Sequence, residues 1–257
     1  ELPLLPPGAI DADTVTALVQ RLRAGGRELP SALRVARQLC LERLACLDVD
    51  AAASLDTVTL GMTALAEATL ELALAQALAD TEARHGEPLD AMGRRIEFWI
   101  VGMGKLGGRE LNVSSDIDLI YVYEDEGETS GLRPSPGRSQ DGLPPAGGGA
   151  AADAPGGPMT RISAHEFFTL VAKKLYALIG DTTEDGFVFR VDLALRPNGN
   201  SGPPVCGLPM LEHYLQVQGR EWERFAWLKS RVVAPATAIG SPCAQSLRPT
   251  DDPMMGR

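Results

Sequence analysis

The stretch that most constrains this chain runs from Phe98 to Tyr123, FWIVGMGKLGGRELNVSSDIDLIYVY. It opens on a short apolar run, Phe98 to Val101, and passes through a turn with Gly102, Gly104, Gly107 and Gly108. It then reaches Ser114-Ser115-Asp116-Ile117-Asp118 and closes on a second apolar run, Leu119 to Tyr123. In a strand, residues two apart point to one face. Asp116 and Asp118 are therefore expected to present both carboxylates to one side, with Ile117 turned into the core. Two carboxylates that close repel, and one takes up a proton unless a cation sits between them. A hard divalent ion with oxygen ligands removes that cost, and Mg²⁺ (or Mn²⁺) is the usual one beside phosphate. A bare Asp-x-Asp is more often a pair of solvated acids at a strand end.

The surroundings favour the metal. Gly107-Gly108 and Ser114-Ser115 supply backbone N–H groups and hydroxyls for phosphate oxygens. A third carboxylate, Asp192, lies in Phe187-Val188-Phe189-Arg190-Val191-Asp192-Leu193-Ala194-Leu195-Arg196. There the odd positions are large and apolar, and the even ones carry Arg190, Asp192, Ala194 and Arg196. That alternation predicts a strand with a core face and a charged wall.

Gly-Gly, then Asp-x-Asp, then a later Asp on another strand is the pattern of the nucleotidyltransferase fold related to DNA polymerase β. The segments GMGKLGGRELNVSSDIDLIYVY, FVFRVDLALRPNGNSG and GREWERFAWLKSRVVAP resemble the glutamine synthetase adenylyltransferase family. The resemblance runs from about Asp90 to Pro235, with one insert. It implies an α+β domain with a small, mostly antiparallel or mixed sheet, preceded and flanked by helices. It also implies an enzyme that attaches AMP to a tyrosine of glutamine synthetase in one half and removes it with inorganic phosphate in the other. The wording is similar to the amino-terminal, AMP-removing half. A small signalling protein of the PII type regulates the family, and no residue here marks its docking surface.

The expected site follows from charge. An oxygen nucleophile must attack a phosphorus ringed with negative oxygens, and two metals about 4 Å apart can offset the charge that develops. Asp116 and Asp118 are expected to hold the ions, with Asp192 completing a shell or orienting the nucleophile. Gly107, Gly108, Ser114 and Ser115 are expected to cradle phosphate oxygens, and Arg190 and Arg196 to neutralise phosphate charge. A catalytically silent docking module is the other reading.

The chain has 257 residues and a formal net charge of −10. That balance argues against gripping a nucleic-acid backbone and favours a protein or small-nucleotide substrate. The four cysteines match no zinc or redox spacing. No signal peptide is legible, and no apolar run reads as a membrane span, so cytoplasm is the expected compartment. The first residue is Glu, and the family's chains are several times longer, so the sequence is expected to be a fragment.

Three regions are expected: a helical lead-in over 1–90, a nucleotidyltransferase-like domain over 91–235, and a low-signal tail over 236–257. The lead-in predicts helices from about Asp13 to Ala24, from Ser31 to Leu47, and from Ser54 or Asp56 to His85. Residues 125–160 are rich in Gly, Pro and Ala, and are expected to form a disordered insert. Ser163, with Glu166 three residues on, predicts a helix start with a capping box. Two more helices are expected, from about Pro209 to Gln218 and from Glu221 to about Val233. In the last, Trp222, Phe225 and Leu228 are expected inward, with Arg224, Lys229 and Arg231 outward.

Gly102-Met103-Gly104-Lys105-Leu106-Gly107 matches G-x-G-x-x-G. A dinucleotide site needs a longer helix next and an acid about 20 residues on, whereas here the acids arrive within a dozen residues. Lys105 is also misplaced for a Walker A loop. His85, His165 and His213 have no ligand-spaced partner, and no nucleophile motif supports acyl transfer.

Overall fold

A computed structural model describes Leu5 and residues 8–131 and 161–235. Most of the expected insert and the whole expected tail lie outside the described residues.

Three helices lead the chain. Helix α1 (Ala12–Ala24) is capped by Asp11, whose carboxylate accepts from the Thr14 N–H at 2.8 Å. The cap falls two residues before the expected Asp13, which occupies the first turn and faces the helix dipole. Helix α2 (Leu29–Val49) also starts early, because Pro30 sits in its first turn with φ already set for a helix. Ser31 is therefore no cap, and its hydroxyl donates to Asp185 at 2.6 Å. Helix α3 (Leu55–His85) is capped by Ser54, as the sequence suggests.

Helix α3 corrects one expectation. It is long and apolar enough to span a membrane by length and composition. Its 18-residue window is 61% buried inside the protein, against α1, the later helix α5 (Ala164–Ile179) and the sheet. An Ala- and Leu-rich helix enclosed by other elements is apolar on most sides because it is a core helix.

The sheet follows. Strand β1 (Pro88–Leu89) pairs with β4 (Glu128–Thr129) in a small separate ladder, so the start of the expected insert is part of a strand pair. The main sheet is built on β2 (Phe98–Gly102) and β3 (Ile117–Tyr123), which pair antiparallel from Phe98↔Tyr123 to Gly102↔Leu119. Between them lies a four-residue helix, α4 (Gly104–Gly107), which leaves no room for a dinucleotide-binding helix. On the far side of β3, β5 (Val191–Asp192) and β6 (Val205–Gly207) run parallel to it. Helix α5, capped by Ser163 accepting from the Glu166 N–H, supplies one covering layer.

Both faces of β2 and β3 are buried, which is why the two strands read as continuous apolar runs. Phe98, Ile100, Leu119, Tyr121 and Tyr123 join the helical core with Phe167 and Phe168 of α5. Trp99, Val101, Ile120 and Val122 form a second core with Leu208 and Leu211 of helix α6 (Leu208–Val217) and with Trp227. Phe168 stacks on Phe98 and Tyr123 at 5.0 and 5.2 Å between ring centres.

The last expected helix is shorter. Helix α7 covers only Glu221–Ala226, and a 3₁₀ turn at Trp227–Lys229 leads into strand β7 (Arg231–Ala234) beside β2. The β-branched pair Val232-Val233 fills a ladder position, so sheet pairing outweighs the helical pattern. The orientation changes with it. Trp222, Phe225 and Leu228 are exposed, Trp227 is the buried aromatic, and Arg231 is half-buried against Glu67.

Candidate active site

The acids sit where the parallel ladder of β3 with β5 begins. Ile117 is fully buried and pairs with Val191, and Asp118 pairs with Asp192 one step on. In a parallel pair, residues in register send their side chains to the same face. The Ile117 N–H donates to Arg190 O at 2.9 Å, and the Met103 N–H donates to Asp118 O at 2.9 Å. The glycine turn is thereby fixed against the strand that carries Asp118. Gly104 has φ +54, and a Cβ there would lie 3.4 Å from Asp118 Oδ2. Glycine supplies both the left-handed backbone and the close approach to the carboxylate.

Asp118 is the electrostatic centre. Burial holds its carboxyl above the ordinary carboxylate range, and the charges of Asp192 and Asp116 push it the same way, while Lys105 opposes them. The three acids predicted from sequence are thus near enough to feel one another, across two neighbouring strands. They do not close on a point. Among the described residues, no three His, Cys, Asp or Glu side chains form a ready-made metal cage. Asp116 accepts from Arg190 Nε at 2.5 Å, and Arg190 also donates to Ser114 O at 2.8 Å. Asp192 accepts from the Ala194 N–H at 2.7 Å. The donors are all hard oxygens, and repulsion converges on Asp118, so the chemistry of the set fits a divalent cation that would draw the three together.

The phosphate candidates divide. Gly107 and Gly108 already give their N–H groups to Met103 O and Gly104 O, at 3.2 and 2.9 Å. Gly107 has a packing reason as well, since a Cβ there would lie 2.1 Å from Lys229 O. Arg196 is engaged with the loop that follows it. It donates to Leu193 O at 2.7 Å, to Pro203 O at 3.1 Å and to Gly202 O at 3.3 Å. Those bonds shape the turn through Asn198 and Gly199, both at positive φ.

Ser114, Ser115 and Arg190 line a cleft of about 240 Å³ with Val113, Phe187, Phe189 and Arg37. The expected strand around Asp192 is a ladder of only two residues, yet its alternation holds locally, with Arg190, Asp192 and Ala194 exposed between less exposed neighbours. Arg231 faces neither solvent nor the acids. It donates to Leu106 O and Gly107 O, near the end of α4, and pairs with Glu67 of α3.

Arg37 lines this cleft and was not singled out in the sequence. The signal is faint: on α2 it stands three residues after Arg34, so the two arginines lie on one face of the helix beside Leu33 and Leu41.

The chain is therefore an α+β protein in which a glycine turn and a parallel ladder gather carboxylates at one edge of a mixed sheet. Sequence comparison assigns it more narrowly. The profile of glutamate-ammonia ligase adenylyltransferase matches residues 7–140 and 150–245, and the chain belongs to that family. It is 46% identical over 238 residues to the bifunctional glutamine synthetase adenylyltransferase/adenylyl-removing enzyme of Burkholderia mallei, covering 90% of this chain and 23% of that protein. The protein of the same description from Ralstonia nicotianae is 46% identical over 217 residues, covering 84% of this chain and 20% of its own length. That from Aromatoleum aromaticum is 40% identical over 225 residues, 88% of this chain and 21% of its own. The chain thus spans less than a quarter of the length of these curated relatives.

Proposed function

We propose that this chain is a metal-dependent nucleotidyltransferase module of the DNA polymerase β type, and that it removes AMP from the adenylylated tyrosine of glutamine synthetase. The observation that carries the reading is the register of Asp118 with Asp192, with Asp116 close enough to raise the same carboxyl. The relatives' descriptions name both addition and removal of the adenylyl group. The direction proposed here rests on the likeness of GMGKLGGRELNVSSDIDLI and GREWERFAWLKSRVVAP to the AMP-removing half.

In this reaction an oxygen of inorganic phosphate forms a bond to the phosphorus of AMP. The bond from that phosphorus to the tyrosine oxygen breaks, the proton carried by the phosphate ends on the tyrosine oxygen, and ADP leaves. Mg²⁺ or Mn²⁺ held by Asp116, Asp118 and Asp192 would bind phosphate oxygens and stabilise the charge that develops. The protein's own contributions are positional. Arg190 keeps Asp116 ordered beside Asp118, Gly104 gives the phosphate chain access to the carboxylates, and Ser114 and Ser115 offer hydroxyls to phosphate oxygens. Arg196 fixes the loop at the mouth. The compartment proposed is the cytoplasm, where glutamine synthetase and nucleotides meet.

One observation favours a catalytically silent docking module instead: the three carboxylates do not converge on a point. Two measurements decide. Titration of Mn²⁺, followed by electron paramagnetic resonance, should show binding in the native chain and none in Asp118→Asn. Incubation with adenylylated glutamine synthetase and phosphate should release ADP only when Mg²⁺ or Mn²⁺ is present. Metal-independent release, or equal metal binding by Asp118→Asn, defeats the proposal.

A further inference from the structure

The cleft beside the acids is walled on one side by a helix that precedes the sheet. Arg37 of α2 lays its guanidinium over the Phe187 ring, 4.9 Å from the centroid. Its Nε is buried and has no hydrogen-bond partner. No carboxylate among the described residues forms an ion pair with it. Burial depresses the basicity of Arg37, and the like charge of Arg190, which lines the same cleft, adds to it. Arg37 and Arg190, the latter also held by Asp116, therefore line one volume of about 240 Å³ that also takes in Ser114 and Ser115. A buried N–H donor left unpaired is costly, and two cations confined together raise the cost. A small, doubly charged anion offsets the repulsion between the two guanidinium groups, and a planar guanidinium is suited to binding tetrahedral oxyanions through two oxygens. The size of the cleft and its two arginines fit a single phosphoryl group.

We propose that this cleft seats the attacking inorganic phosphate, with Arg37 on the helical side and Arg190 on the acid side. This rests on the AMP-removing reading and deepens it. Arg190 bridges the two halves of the site, since the same side chain holds Asp116. The arrangement sets the phosphate next to the carboxylates, on the side of Ser114 and Ser115. It also makes a helix outside the sheet part of substrate recognition. In phosphorolysis the attacking group becomes the β-phosphate of ADP, so the cleft should sense ADP and not AMP.

The test is calorimetric titration of inorganic phosphate, ADP and AMP, in the presence of Mn²⁺, into the native chain, Arg37→Ala and Arg37→Lys. Loss of a charge-assisted bond should weaken phosphate and ADP at least about tenfold in Arg37→Ala. Arg37→Lys should fall between, because it keeps the charge and loses the planar fork. AMP affinity and Mn²⁺ binding should change less than twofold in both variants. Unchanged phosphate affinity in Arg37→Ala overturns the proposal, as does weakening of AMP to the same degree as ADP. A native chain that binds Mn²⁺ but no phosphate overturns the cleft and leaves the acid site standing. Phosphate binding that depends on Arg37 in a chain that takes up no Mn²⁺ keeps the cleft and removes the metal reading.

Discussion

Arg34 offers the most direct measure of how the leading helices hold the site. It is 1% exposed and forms no ion pair among the described residues, yet its guanidinium makes five bonds to backbone carbonyls. It donates to Ala177 O and Leu178 O at the end of α5, to Asp181 O and Gly186 O in the turn that follows, and to Pro30 O in its own helix. Burial lowers its pKa, and the charges of Asp181 and Asp185 restore part of the loss. In Arg34→Met the stem volume is kept and the donors are lost. Pro30 O lies within a helix, and Gly186 O also accepts from Thr183, so both keep company. The carbonyls of Ala177, Leu178 and Asp181 lose the donor that Arg34 had supplied. Each orphaned group costs about 1–3 kcal/mol, and relief from burying a charge offsets part of the sum. The expected net loss is about 3–5 kcal/mol. At roughly 2–4 °C per kcal/mol for a chain of this size, the melting temperature should fall by about 6–20 °C. Urea denaturation at matched m-values, together with calorimetry, would measure both quantities. A loss below about 1 kcal/mol would show that these bonds are not what joins α2 to the turn before Asp192.

Asp118→Asn should be neutral or stabilising without metal. Its folded carboxyl is raised by burial and by Asp192 and Asp116, so the folded state holds the proton more tightly than the unfolded state. The native chain should therefore lose stability as pH rises from the ordinary carboxylate range through that raised value, and the variant should lose less, as melting curves in chelator would record. Gly107→Ala should cost about 1–3 kcal/mol, because its new Cβ would meet Lys229 O and Gly102 O at 2.1 and 2.6 Å; a native-like denaturation midpoint would contradict this. Phe168→Ala removes a fully buried ring stacked on Phe98 and Tyr123, and should cost about 3–5 kcal/mol by the same assay.

What was legible in the sequence was what depends on local chemistry. Asp116-Ile117-Asp118 before an apolar run located β3, and the alternation around Asp192 located its neighbour, although only Val191 and Asp192 form the ladder. Ser54 and Ser163 gave their helix starts, because a hydroxyl accepting from an N–H three residues on is written in the chain itself. What failed depended on partners distant in sequence. EWERFAWLKSR has a helical stripe, but β2 pairs with Arg231–Ala234 and ends the helix at Ala226, leaving Trp222 and Phe225 exposed.

The leading helices read as packing because their apolar stripes suffice to explain them. The proposed phosphate seat gives α2 a second duty, carried by two arginines on one face. Arg34 clamps the turn from Asp181 to Gly186, four residues before Arg190 and six before Asp192. Arg37, one turn further along, faces the cleft that Arg190 shares with the acids. A rigid clamp beside an unpaired charge is what a binding wall requires, because a guanidinium held in place loses little freedom when an anion arrives. Glu67 of α3 adds a second tether, through Arg231, to the turn that carries Gly107. The helices and the sheet therefore form one site-bearing unit, and removing residues 1–90 should abolish the acid arrangement rather than merely shorten the protein.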